Sequence, residues 1–223
     1  MRPIQRPSPN RDSRGAARVD MLVLHYTGMK TAEEALARLC DPAAKVSAHY
    51  TVDRDGTVYA HVPEELRAWH AGASYWAGER NVNARSIGIE LVNPGHAFGY
   101  IPFAEAQIEA LVELARGILS RHPIAPSRVV GHSDVAPSRK LDPGELFPWQ
   151  RLAQSGIGIW PAPRAPSGDF ASGLARFGYG APPQVDWTIQ DTIKAFQRHF
   201  RPSCIDGMAD AECERLLAGL LGS

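Results

Sequence analysis

The sequence predicts an α/β protein with a central mixed β-sheet flanked by helices, followed by a small three-helix module. Apolar strand-like runs alternate with helical patterns up to residue 160, as in sheets covered by helices. A proline-rich stretch then interrupts the chain, and three short amphipathic patterns follow it. We therefore expect an N-terminal arm at 1–17, an α/β domain at 18–160, a linker at 161–168 and a three-helix domain at 169–223.

Five apolar runs are predicted to form the strands of the sheet. The run at 86–92 is apolar almost throughout, which is typical of a strand in the middle of a sheet. A turn at 53–56 joins two of the runs, so these two are expected to pair as a hairpin. The predicted strands span residues 19–25, 47–52, 57–62, 86–92 and 128–130.

The predicted helices have clear start signals or one apolar face. Thr31 and Glu34 have the spacing of a capping box and predict the start of the first helix. The most regular pattern runs from 103 to 122, with glutamates opposite an apolar stripe. After the linker, three apolar faces are formed by Phe170, Leu174 and Phe177, by Ile189, Ile193, Phe196 and Phe200, and by Cys213, Leu216, Leu217 and Leu220.

Composition excludes two classes of partner. The chain has 223 residues, with 44% hydrophobic and 22% charged residues and a formal net charge of zero. Because it has no basic stripe, we expect no nucleic-acid partner. Because no apolar run approaches the ~20 residues that a membrane helix needs, we expect no membrane span.

The N-terminus and the cysteines indicate a compartment. No apolar segment precedes the first predicted strand, so we expect a cytoplasmic protein, with the periplasm or envelope as the alternative if a leader has been removed. Cys40, Cys204 and Cys213 have no metal-binding spacing and are odd in number. We expect free thiols, and a bridge between Cys204 and Cys213 stays open.

A polar loop at 131–144 is the first candidate site. It follows a predicted strand end and is rich in proline, serine and glycine, which favours a loop over a helix. His132 and Asp142 offer side-chain atoms that are good Zn²⁺ ligands, and Lys140 would lie beside such a metal as a fixed positive charge. Taken alone, this segment is equally consistent with a solvated loop in which Asp142 opens a turn.

Two further residues lie where polar side chains are unusual. His25 ends an apolar strand at a turn, where active-site residues of sheet proteins are often found, although a buried structural histidine is the alternative. Glu90 lies inside an apolar strand, where a carboxylate is unfavourable unless it is paired or has a function. A buried salt bridge is the alternative for Glu90.

Six motifs lie in order along the first part of the chain. They are LHYT at 24–27, SAHYTVDRDG at 47–56, AWHAG at 68–72, SIGIE at 86–90, GHSDVAP at 131–137 and RKLDPG at 139–144. Together they resemble the type 2 N-acetylmuramoyl-L-alanine amidase family, the zinc amidases related to peptidoglycan recognition proteins, and the match spans about residues 18 to 160. The C-terminal tail resembles a small three-helix peptidoglycan-binding module, although Cys213 stands where such modules usually have threonine.

The resemblance implies a zinc site and its catalytic partners. It makes His25, His132 and Asp142 the zinc ligands, an arrangement that leaves one coordination position open for hydrolysis. It makes Glu90 the general base and Lys140 the group that stabilises the oxyanion.

It also suggests where the substrate is bound. Trp69 and His70 are candidates for the lining of the substrate cleft, with ordinary packing as the alternative. Arg80 and Asn83 are weaker candidates for binding the carboxylates of the peptide. All of these residues precede the linker, so we expect the chemistry to reside in the first domain.

The implied activity is hydrolysis of the amide between the lactyl group of N-acetylmuramic acid and L-alanine. The expected partners are peptidoglycan fragments, including 1,6-anhydromuropeptides, or the polymer. The alternatives are a recognition protein that binds peptidoglycan without cleaving it, since fold does not fix function, and a phage-type lytic amidase. A pure binder has no need of three metal ligands together with Glu90 and Lys140.

Overall fold

The computed structural model describes residues 2–166 and 168–222; Met1, Ser223 and Ser167, which lies in the predicted linker, are outside the described residues. A six-stranded mixed sheet has the order β1-β5-β4-β7-β3-β8, and β2 pairs with β6 in a separate two-stranded sheet. The strands are β1 (Ile4–Gln5), β2 (Arg11–Ser13), β3 (Met21–Tyr26), β4 (Tyr50–Val52), β5 (Val58–Ala60), β6 (Leu66–Ala68), β7 (Ser86–Leu91) and β8 (Val129–Gly131).

The helices cover both faces of the large sheet. Two short 3₁₀ turns occur at His96–Phe98 and Pro126–Arg128. The α-helices are α1 (Ala32–Cys40), α2 (Val82–Arg85), α3 (Glu105–Arg121), α4 (His132–Val135), α5 (Trp149–Gln154), α6 (Phe170–Phe177), α7 (Ile189–Phe200) and α8 (Ala211–Leu221). The predicted architecture, a mixed sheet flanked by helices with three helices after it, is confirmed.

The centre of the sheet brings His25 and Glu90 together. β3 lies between β7 and β8 and is parallel to both, and the predicted central position of β7 is confirmed. In the β3–β7 register His25 is directly opposite Glu90. Side chains alternate across a strand, so both residues lie on the face opposite their apolar neighbours Leu24 and Ile89.

Each face of the sheet has its own hydrophobic cluster. Leu24 and Ile89 pack on one face against Leu111 of α3. On the other face, Val23 shares a cluster with Phe196 of α7. The C-terminal helices therefore bury their apolar faces against the sheet as well as against each other. The division of the chain at 161–168 stays a prediction.

Three local expectations need correction. The strand expected at 47–52 covers only Tyr50–Val52. The loop expected at 131–144 begins with the one-turn helix α4, because the carboxylate of Asp134 accepts a hydrogen bond from the backbone N–H of Gly131 at 2.7 Å and caps that turn. The arm at 1–17 contributes β1 and β2, which pair with β5 and β6.

Other expectations can be compared directly. Thr31 and Glu34 form the predicted capping box at the start of α1. All three cysteines are free thiols, with Cys213 buried in the C-terminal helices. Within residues 2–166 and 168–222, no helix combines the length and the hydropathy that crossing a membrane requires.

Candidate metal centre

Three donor atoms from distant parts of the chain meet at the carboxyl end of the central strands. Nδ1 of His25 lies 2.9 Å from Nδ1 of His132 and 2.9 Å from Oδ2 of Asp142, and the third separation is 3.0 Å. All three residues are buried, with exposed fractions of 1%, 3% and 6%. We call these three atoms the donor triangle. The residues proposed as metal ligands from the sequence are therefore brought together.

A chain of hydrogen bonds behind His25 fixes the position of its proton. This chain of hydrogen bonds ends at the backbone carbonyl of Val82. A carbonyl can only accept, so the hydroxyl of Ser86 donates to it at 2.7 Å. Ser86 Oγ then accepts from Nε2–H of His70 at 3.0 Å. In neutral His70, Nδ1 therefore accepts the Nε2–H of His25, also at 3.0 Å. Nδ1 of neutral His25 is left with its lone pair, which faces the donor triangle.

The same reasoning applies to His132. Its Nε2 lies 3.1 Å from the carbonyl oxygen of Ala71, so Nε2 donates and Nδ1 of the neutral ring keeps its lone pair. Burial, followed by the nearby His132, lowers the pKa of His25 to about 4, so that His25 is neutral at pH 7.

The donor triangle fits a metal cation. Two imidazole lone pairs and a carboxylate oxygen repel one another at these separations unless a positive charge lies between them. Tetrahedral ligands at ~2.0–2.2 Å from zinc are about 3.3–3.6 Å apart, so the donor triangle would have to widen by only a few tenths of an ångström to hold the ion. A set of two imidazoles and one carboxylate is also typical of catalytic metal sites, which keep one position free.

His70 owes its position to a missing side chain on the central strand. A Cβ atom at Gly88 would lie 2.5 Å from Cγ of His70, so only glycine leaves room for the imidazole there. His70 is itself buried, and its ring contacts His25 edge-on. The outer hydrogen bond to a metal-ligating histidine orients the ligand, and His70 has the position to do so.

Glu90 and Lys140 lie beside the donor triangle. Oε2 of Glu90 is shielded from solvent and has no hydrogen-bond partner among the described residues. Burial raises the pKa of Glu90 well above its usual range, the negative charge of Asp142 raises it further, and Lys140 lowers it. A partly buried carboxylate with one shielded, unpaired oxygen next to a candidate metal site is suited to proton transfer rather than to structure.

A cavity of about 430 Å³ opens onto these groups. Its walls come from β3 and the loop after it, from α1, from the AWHAG motif and from the loop that carries the metal ligands. The lining includes Tyr26, Thr27, Met29, Arg38, Leu39, Trp69, His70, Glu90, His96, His132, Arg139, Lys140, Leu141 and Asp142. The donor triangle, Glu90 and Lys140 therefore share one accessible cleft.

The four candidate substrate-binding residues differ in whether they line the cavity. Trp69 and His70 line the cavity, and the ring nitrogens of His70 bind His25 and Ser86. Arg80 and Asn83 are not among the described residues that line the cavity, and their binding of peptide carboxylates stays a prediction. Arg80 donates to the carbonyl of Gln184, and the amide oxygen of Asn83 accepts the N–H groups of residues 70 and 71.

Sequence reasoning missed Arg38 and Arg139 as cavity residues. Arg139 lines the cavity and also donates to the carbonyls of Ala71 and Ala73, so it fastens the AWHAG motif to the metal loop. Arg139 precedes Lys140 in the sequence, and this position could have indicated that it lines the cavity. Arg38 had no such signal, because only the packing of α1 shows which helix face meets the cavity.

We predict that His70→Ala lowers metal affinity, because His25 loses the group that orients it. Removing such outer partners typically costs ~10–100-fold in metal affinity. Asparagine can place an acceptor close to the position of Nδ1, so His70→Asn should retain more affinity than His70→Ala. Competition with a chromophoric chelator measures both; equal affinity of His70→Ala and the wild-type protein would contradict the assigned role.

The sequence matches a known family profile and several known proteins. The profile of the N-acetylmuramoyl-L-alanine amidase family matches residues 15–145. The N-acetylmuramoyl-L-alanine amidase AmiD of Escherichia coli K12 is 42% identical over 231 residues, which cover 92% of this chain and 83% of AmiD. The 1,6-anhydro-N-acetylmuramyl-L-alanine amidase AmpD of the same organism is 39% identical over 108 residues, which cover 48% of this chain and 57% of AmpD.

Solved structures extend the similarity to the whole fold. The complex of E. coli AmiD with anhydro-N-acetylmuramic acid-L-Ala-D-γ-Glu-L-Lys has a TM-score of 0.81 and 43% identity, covering 95% of this chain and 92% of AmiD. AmpDh3 of Pseudomonas aeruginosa, in complex with anhydromuramic pentapeptide, has a TM-score of 0.82 and 36% identity, covering 92% and 91%. The resemblance read from the sequence is confirmed: the chain belongs to the N-acetylmuramoyl-L-alanine amidase family.

Proposed function

We propose that this amidase hydrolyses the amide between the lactyl group of N-acetylmuramic acid and L-alanine, using a zinc ion held by His25, His132 and Asp142. One observation carries the proposal: the donor triangle opens into the same cavity as the unpaired carboxylate oxygen of Glu90. Three ligands and a base in one cleft are the parts that metal-assisted hydrolysis of an amide requires.

The zinc ion, when bound, supplies Lewis-acid polarisation and makes water more acidic. Glu90 takes the proton from the attacking water at its unpaired oxygen and then delivers it to the departing amine nitrogen. Lys140 places a positive charge beside the oxyanion that develops on the lactyl carbonyl. Donors of this kind are typically worth ~3–4 kcal/mol in the transition state.

The site favours an enzyme over a binding protein. Binding alone would be served by hydrogen-bonded polar groups, and an unpaired buried carboxylate weakens a binding surface. Glu90 has this unfavourable position, and its opposite partner in the β3–β7 register is the ligand His25. A phage-type lytic amidase would use the same chemistry, so it differs from the leading proposal in substrate and not in mechanism.

The natural substrate is proposed to be a soluble 1,6-anhydromuropeptide. The support is the similarity to two amidases whose solved complexes contain anhydromuramyl peptides. A cavity of about 430 Å³ suits a fragment of this kind, since small-ligand sites commonly have volumes of ~300–1,000 Å³. Location in the cytoplasm is a further part of this proposal. Binding of polymeric peptidoglycan by the C-terminal helices belongs to the alternative location in the envelope.

We predict one zinc ion per chain in the isolated protein. His132→Ala and Asp142→Ala should each lose metal and activity, because two remaining ligands hold the ion weakly. His122→Ala is the matched control, since His122 pairs with Glu64 and is not among the described cavity residues. Elemental analysis measures the metal content, and full zinc occupancy in His132→Ala would show that the ligand assignment is wrong.

We predict that Glu90→Gln folds and binds zinc but is slower by ~10²–10⁴-fold in kcat, since the amide cannot take up the proton. Lys140→Ala should lose ~10²–10³-fold. Glu109→Gln, on the exposed face of α3, is the control for a charge change on the surface. Steady-state kinetics on a soluble muropeptide tests these roles, and near wild-type kcat in Glu90→Gln would exclude it as the base.

We predict faster cleavage of soluble anhydromuropeptides than of intact sacculi, because the catalytic groups line a cavity of about 430 Å³, which suits a short fragment. Mass spectrometry of the products from both substrates, run side by side, measures the difference.

For the cellular compartment, we predict that deletion of the gene causes uncleaved anhydromuropeptides to accumulate in the cytosol. An unchanged cytosol together with altered sacculi would place the enzyme in the envelope.

A further inference from the structure

Two consecutive residues of α7, Arg198 and His199, contact the two arms of the loop that carries His132 and Asp142. We propose that α7 is a positioning element for the metal ligands, so that the C-terminal helices set the metal affinity of the site. This inference rests on the proposed function, because it takes the donor triangle to be a zinc site. It assigns to the C-terminal helices a role in the chemistry itself, in addition to any binding of peptidoglycan.

The first contact is made through Asp134, two residues after the ligand His132. Asp134 is 1% exposed, and its Oδ2 accepts the backbone N–H of Gly131 at 2.7 Å. Asp134 therefore fixes the backbone on both sides of His132. Ser133 lies between His132 and Asp134 and donates its N–H to the backbone carbonyl of Asp142 at 2.8 Å. This hydrogen bond joins the two arms of the loop that carry His132 and Asp142.

The remaining partners of Asp134 come from the C-terminal part of the chain. Nδ1 of His199 lies 2.7 Å from Oδ2, and the hydroxyl of Tyr179 donates to Oδ1 at 2.7 Å. His199 is 4% exposed and Tyr179 is 1% exposed, so water does not compete for these hydrogen bonds. Hydrogen bonds to a buried carboxylate are among the stronger ones in proteins, and losing one leaves a charge partly unsatisfied.

The ring of His199 is held in place by stacking. It lies parallel to the indole of Trp149, with 3.8 Å between centroids and 19° between planes. Trp149 begins α5 and packs in the cluster on the α3 side of the sheet. The imidazole therefore joins α7, α5 and the metal loop at one buried point. It has neither the exposure nor the cavity position of a substrate-binding residue.

The second contact reaches the other arm of the loop. Arg198 forms an ion pair with Glu145, three residues after Asp142, with 3.7 Å between Nε and Oε2. Glu145 also accepts from Nε2 of His96 at 3.2 Å. This ion pair is longer and more exposed than the contacts of Asp134, so we expect it to contribute less to the position of Asp142 and to the metal affinity.

Loosening the contact with α7 should affect the metal before it affects the fold. The hydrophobic cluster that holds the C-terminal helices on the sheet does not depend on Asp134. A variant without the Nδ1–H donor should therefore stay folded while His132 and Asp142 sample more conformations. A freer ligand set loses more entropy when it binds the ion, which lowers affinity.

The test compares four variants of the full chain. His199→Phe removes the donor and keeps a ring to stack on Trp149, whereas His199→Asn keeps a donor near the Nδ1 position. Tyr179→Phe removes the second donor and keeps the ring packing against Trp76. Leu217→Ala is the control, because Leu217 is buried in the C-terminal helices and its loss weakens their packing without touching Asp134.

We expect a zinc dissociation constant ~10-fold higher for His199→Phe, and an increase of the same kind for Tyr179→Phe, in chelator competition. His199→Asn should restore most of the affinity. Hydrogen exchange in residues 131–144 should rise with the loss of affinity, and kcat should fall at a nearly unchanged KM. Leu217→Ala should lower the melting temperature and leave the zinc affinity unchanged.

Wild-type zinc affinity in both His199→Phe and Tyr179→Phe would overturn this inference and leave the proposed function standing. An equal loss of affinity in Leu217→Ala would also overturn it, because general destabilisation would then explain the effect. A wild-type protein that binds no zinc would overturn the proposed function and the inference together.

Discussion

The site depends on a buried meeting of three atoms that repel one another. Nδ1 of His25, Nδ1 of His132 and Oδ2 of Asp142 lie 2.9–3.0 Å apart, and the hydrogen bonds behind the two imidazoles leave both nitrogens with lone pairs. Such an arrangement is unfavourable without a cation, so the fold has to hold it in place from outside. Three parallel strands provide the frame, since His25 is the penultimate residue of β3 and β8 leads directly into His132.

The supporting contacts all act on backbone or on outer ring nitrogens. The carbonyl of Ala71 binds the outer nitrogen of His132, and His70 binds that of His25. Arg139 fixes the AWHAG segment that supplies both groups. Because these partners engage the nitrogens that face away from the donor triangle, they orient the ligands and leave the lone pairs free for metal. Among the described residues that line the cavity, Glu90 differs from these positioning groups, because its buried Oε2 has no hydrogen-bond partner.

Much of this could be predicted from the sequence, for identifiable reasons. The strands around His25 and Glu90 are continuous apolar runs, so a polar residue in them is conspicuous, and the motifs supplied the metal ligands by family resemblance. The role of His70 could not be predicted, because it depends on the β3–β7 register and on the absent side chain at Gly88. The backbone contacts of Asn83 could not be predicted either, because the sequence alone does not show that its amide oxygen accepts the N–H groups of residues 70 and 71.

The C-terminal helices show most clearly why a linear division into domains misses part of the site. The proline-rich stretch indicates a boundary, and composition carries no information on what the following helices pack against. In the structure their apolar faces bury Val23 and Val130 of the central strands, and only this docking brings His199 to Asp134. The buried carboxylate of Asp134 lies two residues after His132 and needs strong hydrogen-bond donors. Of its three partners among the described residues, Tyr179 and His199 lie C-terminal to the linker, and the third is the backbone N–H of Gly131. The loop that carries His132 and Asp142 is therefore completed by the part of the chain that the sequence assigns to a separate module.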